Sequence, residues 1–304
     1  MAAHLYMTNT SDRSCEREDI LPLLQLEQTG DGRFLTRRYD LNQQARIFGG
    51  QLLAQSAAAA AGLAEGRAPT YLHGLFLRGA VAGEPIEYCV ESLQHGKRFS
   101  SFHVRGTQQD RAVIDALVSF QVREEGAGHA RHLTETIAPP EQCPSMEALE
   151  QLHAGPLAER NYRLLQKTTL EIRLVDPDDF LFKPATRPRI AYWVKVRCAL
   201  PEDALHKSLA TIYLSDYFAG FCVMTPHRPM VGARNEVYLA SLNHTIWLHE
   251  PCDPNDWLLA VTDSPHAGSG RGLATGHFYR RDGSLVATIA QACSVTARQP
   301  DAGG

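Results

Sequence analysis

The sequence predicts an α+β protein built from two copies of one module, and three observations carry that prediction. The first is an internal echo. His73-Gly-Leu-Phe-Leu-Arg78 and His244-Thr-Ile-Trp-Leu-His249 share a His-x-apolar-aromatic-Leu-basic pattern 171 positions apart, and residues 110–122 match residues 283–295 at 173 positions, in the same order. The second is that each half holds one strongly helical segment followed by several runs of alternating polar and apolar residues. The third is the arrangement of those runs. Strands that follow a single helix, instead of alternating with helices, indicate antiparallel α+β packing rather than a doubly wound sheet.

Taken in order, the first 20 residues are polar and expected to fray. Residues 21–40 read as two strands around the turn TGDG, with glycines at 30 and 32. After Gly49-Gly50 the alanine-rich run QLLAQSAAAAA predicts a helix closed by Gly62, with a small-residue face able to lie close to a sheet. Four strand-like runs lie between Leu72 and Val122, separated by AGEP, QHGK and QQDR. This gives a first module over residues 20–123. Residues 124–170, rich in Gly, Pro and charge, read as a linker, and 171–298 as the second module. There TLEIRLVDPDDF and RPRIAYWVKVRC are strand-like. Pro201, with Glu202 and Asp203 behind it, opens a helix expected to run to about Met224, and strands follow at 236–249, 257–263, 271–280 and 284–297.

Bulk properties narrow the function. The 304 residues carry a net charge of −4 with no long basic run, which argues against a nucleic-acid partner. The seven cysteines are scattered without a C-x-x-C, as in a protein with reduced thiols, and no run is long and apolar enough for a membrane span. A cytoplasmic protein is expected. His129 and His132 form H-x-x-H without the H-E-x-x-H spacing of a zinc site, and GSGRG at 268–272 is not followed by a helix, so neither a metal nor a dinucleotide cofactor is expected.

Two residues break their local pattern. Asp216 falls on the apolar stripe Leu205, Leu209, Ile212, Ala219, Val223, where an unpartnered carboxylate would be costly. Gln291 shares a strand face with Leu285, Ala287, Ile289, Cys293 and Val295, and the equivalent position in the first copy is Val118. Each is either a satisfied buried polar group or a group held for chemistry. Ser241 and Asn243 share one face of a regular strand, opposite His244, and no G-x-S-x-G or activating relay marks Ser241 as a nucleophile.

The segments RIFGGQ (46–51), LHGLFLR (72–78), VSFQ (118–121), LVDP (174–177), YLSD (213–216), SLNHTIWLH (241–249) and DGSLVATIAQ (282–291) together resemble the acyl-CoA thioesterase II (TesB-like) family. The resemblance covers nearly the whole chain. It implies a double hot-dog fold, two tandem antiparallel sheets each wrapped around a central helix, and hydrolysis of an acyl-CoA substrate. It also implies that Asp216, Ser241 and Gln291 are the catalytic residues, together activating and holding a water, and that the chain associates further into a homo-oligomer. The sequence departs from the family at Asn243, where the family strand has Asp before its His, and at FLRGA (76–80), which lacks a proline after the Arg. Two rival readings are a hot-dog hydratase or dehydratase using His244, and an acyl-CoA-binding protein without turnover, marked by Asn243.

Overall fold

A computed structural model describes residues 19–42, 45–152, 168–227 and 237–297. The polar start, Cys15 and linker residues 153–167 lie outside the described residues. The strands are β1 (Glu27–Gly30), β2 (Arg33–Thr36), β3 (Ala68–Phe76), β4 (Ile86–His95), β5 (Phe99–Gln108), β6 (Arg111–Gln121), β7 (Leu170–Leu174), β8 (Arg189–Val196), β9 (Val237–Ser241), β10 (Asn243–Leu248), β11 (Leu258–Gly268), β12 (Arg271–Tyr279) and β13 (Leu285–Ala297). The helices are α1 (Leu21–Leu24), α2 (Gly49–Ala61), α3 (Met146–Leu152) and α4 (Ala204–Ser215).

The thirteen strands of the described residues join one antiparallel sheet in the order β1-β2-β4-β5-β6-β3-β10-β13-β12-β11-β8-β7, with β9 beside β13. The order is the same read from either edge: an outer pair, then a three-stranded meander, then the strand that meets its counterpart. The halves are joined edge to edge by β3 and β10, where Gly74 lies opposite His244 and Leu72 opposite Ile246. Helix α2 packs on β3 to β6, and α4 packs on α2, β3, β8 and β10. The helices touch each other at Gly50, where a Cβ would stand 2.2 Å from the Tyr213 carbonyl oxygen, so only glycine permits this crossing. The main core spans both halves, from Leu53 and Phe120 to Tyr192 and Phe278.

The register corrects the alignment of the two copies. Leu72, Gly74, His244 and Ile246 face the core, whereas His73 shares the outer face with Thr245, its hydrogen-bond partner at 2.7 Å. His73 and His244 therefore project to opposite faces, and the echo His-x-apolar-aromatic-Leu is one residue out of structural register. The counterpart of His244 is Leu72, which pairs with Val118 just as His244 adjoins Gln291.

Other expectations shift locally. Leu21–Leu24 is a helical turn, with Pro22 in its first turn, where the missing N–H is tolerated. Residues Asp178–Phe182 form a wide helical turn, not strand. The helix expected over 201–224 starts at Ala204, because the Asp203 carboxylate accepts from the His206 N–H at 2.9 Å as N-cap. It stops at Ser215. Asp216 is its C-cap, and Phe218 takes φ +57°, turning the chain into a separate 3-10 segment, Ala219–Val223. The linker is not bare: residues 133–143 strap across the outer face of the second half over Trp193, Trp257, Leu259 and Tyr279, held by Trp193 Nε1–H donating to Ala138 O at 2.9 Å.

Candidate active site

The expected strand 236–249 breaks at Leu242, and this break builds the site. Ser241 lies opposite Cys293 and Thr245 opposite Ala290. The β9–β10 strand thus takes four steps where β13 takes three, which is a β-bulge. Leu242 is turned out to 39% exposure, and the alternation resets. Ser241 and His244, expected on opposite faces, both approach Gln291. The Asn243 side chain repairs the interrupted ladder, its Oδ1 accepting the Ala292 N–H at 3.0 Å. An aspartate oxygen would serve the same bond, so the departure from the family's Asp keeps this backbone contact and removes a charge.

A polar chain crosses the core from this bulge. Gln291, 2% exposed, donates from Nε2 to Ser241 Oγ at 2.7 Å, and its Oε1 lies 2.6 Å from His244 Nδ1. Because a carbonyl oxygen only accepts, Nδ1 carries the imidazole proton. His244 Nε2 then faces Ser215 Oγ at 3.0 Å, in the last turn of α4. Burial pushes the His244 pKa down to about 4, with the Gln291 bond opposing and the charge of His73 assisting, so the ring is neutral near pH 7.

Asp216 follows Ser215 directly. Its side chain is 6% exposed, with Oδ1 3.9 Å from His244 Nδ1. On its other side is the N-terminus of α2: a Cβ on Gly49 would stand 2.6 Å from Asp216 Oδ2 and 2.9 Å from the Phe76 ring. Phe48, the N-cap of α2, supplies no side-chain cap, so the positive end of the helix dipole at Gly49 lies beside this carboxylate. The 3-10 segment packs Gly220 on Gln291 and Cys293, where a Cβ would stand 3.2 Å from Gln291 Nε2 and 2.6 Å from Cys293 Sγ. Burial raises the Cys293 thiol to about 12, which removes it as a nucleophile.

The structure thus gathers the three sequence candidates, Asp216, Ser241 and Gln291, around His244, while His129 and His132 stay exposed in the linker. Sequence reasoning missed His244 as the hub and Gly49 as the neighbour of Asp216. The adjacent polar pair Asn243-His244 was the available signal for the bulge. No group of His, Cys, Asp and Glu suited to a metal occurs among the described residues.

The architecture is that of the hot-dog thioesterases. It matches a hot-dog protein from Alicyclobacillus acidocaldarius at TM-score 0.72 and 20% identity, over 91% of this chain and 98% of that one. It also matches the acyl-CoA thioesterase II TesB2 of Mycobacterium marinum at TM-score 0.75 and 25% identity, over 92% and 99%. Residues 38–121 match the acyl-CoA thioesterase N-terminal domain and residues 140–295 the C-terminal domain. Acyl-CoA thioesterase 2 of Haemophilus influenzae is 31% identical over 279 residues, covering 90% of this chain and 95% of that protein. The chain belongs to the acyl-CoA thioesterase family.

Proposed function

We propose that the protein hydrolyses an acyl-CoA thioester to a free carboxylic acid and coenzyme A, using a water held between Asp216 and the Ser241–Gln291 pair. The carrying observation is the convergence of a buried carboxylate at the C-terminus of α4, the glycine-led N-terminus of α2 beside it and a hydrogen-bonded Ser–Gln pair. Asp216 takes a proton from the water as its oxygen bonds to the thioester carbon. The N–H groups opening α2 at Gly49 and Gly50 stabilise the developing oxyanion. Collapse breaks the C–S bond, and the proton passes from Asp216 to the leaving thiolate, so no acyl-enzyme forms. Ser241 suits holding a water better than attacking, because its hydroxyl accepts from an amide N–H and no base is hydrogen-bonded to it among the described residues.

The two-module organisation belongs to the same proposal: 20–123 and 171–298 as tandem hot dogs, each an antiparallel sheet wrapped around its own helix, α2 in the first and α4 in the second. The palindromic strand order supports it. The same proposal includes a cytoplasmic setting, which the scattered cysteines without a C-x-x-C favour, and assembly into a homo-oligomer, which the family resemblance implies.

The hydratase reading has one observation in its favour, the 3.9 Å approach of His244 to Asp216. Against it, His244 is fully buried and both ring nitrogens are engaged, by Gln291 and Ser215, so neither faces a substrate. The test is thiol release from short, medium and long acyl-CoAs by the parent and by Asp216→Asn. Turnover by the parent that falls by about 10²–10⁴-fold in a folded variant supports the assignment. A parent with no turnover on the whole panel, or an Asp216→Asn variant with full activity, overturns it.

A further inference from the structure

The proposed mechanism leaves one buried titratable side chain unused. His244 sits at the seam between the two halves with no exposed surface. Its counterpart in the other half, Leu72, is equally buried, and it pairs with Val118 as His244 adjoins Gln291. The protein therefore contains its own control. At this place in the fold a leucine beside a valine fills the core and completes the sheet. An imidazole there must be stripped of water, and its depressed pKa records that desolvation. Packing does not ask for a histidine here; the polar neighbour does.

We propose that His244 is a positioning residue that fixes which end of the Gln291 amide faces the active site. The step rests on the reading that Gln291 and Ser241 hold the reactive water. A glutamine amide can rotate by half a turn with little change in shape, exchanging its donor end for its acceptor end. Only one of those two orientations sends the NH2 group toward Ser241. The donor at His244 Nδ1, 2.6 Å from Oε1, selects it: the reversed amide would set N–H against N–H. Ser215 faces the other ring nitrogen: its hydroxyl donates to Ile212 O at 2.7 Å and lies 3.0 Å from His244 Nε2. Shared between those two acceptors, its one proton leaves Nε2 the acceptor and Nδ1 the donor. A line of polarity thus runs from Ser215 through His244 and Gln291 to Ser241, and Asp216 adjoins its origin in sequence. His244 itself touches no reacting atom.

The experiment compares His244→Leu, which removes the donor and reproduces the residue of the other half, with His244→Asn, whose amide nitrogen falls near the place of Nδ1. Both are assayed for kcat and KM on the best acyl-CoA, beside Gln291→Leu and the double variant His244→Leu/Gln291→Leu, with thermal melting of each. The expected result is a kcat loss in His244→Leu of about the size caused by Gln291→Leu, on the order of 10²-fold, with KM little changed. His244→Asn restores part of it, and the double variant is no worse than Gln291→Leu alone, since the histidine acts through the glutamine. In the parent, the 15N signals of the His244 ring report a neutral imidazole protonated at Nδ1. A His244→Leu variant with parental kcat, losses that multiply in the double variant, or a ring protonated at Nε2 would each overturn the proposal. If Gln291→Leu is itself harmless, the reading of the site fails instead, and the two failures are told apart. The 15N measurement needs no variant to fold.

Discussion

Acidification should unfold this protein earlier than its surface suggests, and His244 is the reason. The ring is wholly buried, and its native pKa lies at about 4 against 6.5 for a free histidine. The sign follows from proton counting. Above pH 6.5 the group is neutral in both states and contributes nothing to the pH dependence. As pH falls below 6.5 the unfolded chain takes up a proton that the native protein refuses, so stability drops until the native ring titrates near 4. The full loss over that window is about 3 kcal/mol, at 1.36 kcal/mol per pKa unit, and roughly half of it is reached by about pH 5. The groups facing the ring are Gln291, Ser215, Asp216 at 3.9 Å and, across the sheet, His73. His249 and His277 are also depressed by burial and push in the same direction. The assay is therefore a difference: urea midpoints of the parent and of His244→Asn between pH 7 and pH 4.5. The parent should lose stability more steeply, while contributions common to both proteins cancel. Equal pH slopes would refute the argument, because they would mean that the native ring protonates as easily as the unfolded one.

The two glycines that open α2 should separate stability from catalysis. Gly50→Ala drives a Cβ to 2.2 Å from the Tyr213 carbonyl oxygen, so the helix crossing must open; a loss of about 1–3 kcal/mol and a melting temperature lower by several degrees are expected by calorimetry. Gly49→Ala meets side chains rather than backbone, Asp216 Oδ2 at 2.6 Å and the Phe76 ring at 2.9 Å, so it should displace the carboxylate and lower kcat by about 10²-fold with a smaller change in melting. Trp193→Ala removes both a buried ring and the donor to Ala138 O, and should cost about 3–5 kcal/mol. Cleavage of the linker strap by protease should rise with it, whereas Glu135→Ala, which removes an exposed ion pair to Arg189, should change stability by less than about 1 kcal/mol.

The candidate site was legible in the sequence where residues broke an apolar pattern. Asp216 and Gln291 stood out because a carboxylate and an amide on core-facing positions carry a desolvation cost that a random substitution would not keep. The strands of the first half were legible because their alternation is regular. What stayed hidden depends on local departures from period. A single extra residue at Leu242 moved His244 onto the face of Ser241 and Gln291, and a period-2 reading has no way to place such a step. The positive φ at Phe218 ends α4 at Asp216, against a continuous apolar stripe that favoured about two and a half more turns of helix. The echo between the copies had a similar fault. Matching histidine to histidine aligned the letters, while burial aligns Leu72 with His244.

That corrected equivalence bears on how many reacting centres one chain holds. Two copies of a module related by a pseudo-twofold could form two sites, each from the N-terminus of one helix and the C-terminus of the other. Here the second is closed at every point. The C-cap of α2 is Gly62 where α4 has Asp216, and a Cβ at Gly62 would stand 2.7 Å from the Phe34 ring, so no acid can be accommodated. The N-terminus of α4 is sealed by its own Asp203, whose carboxylate accepts from the His206 N–H and meets the His206 ring, whereas α2 opens without a side-chain cap. Leu72 and Val118 replace the His–Gln pair. Hydrocarbon, not an emptied polar pocket, occupies the place, and filling it strengthens the core that the polar copy weakens. One ligand should therefore bind per chain. Calorimetric titration of the Asp216→Asn protein with a non-hydrolysable thioether analogue of an acyl-CoA should give a stoichiometry of one, and two equivalent sites would refute the inequality of the halves.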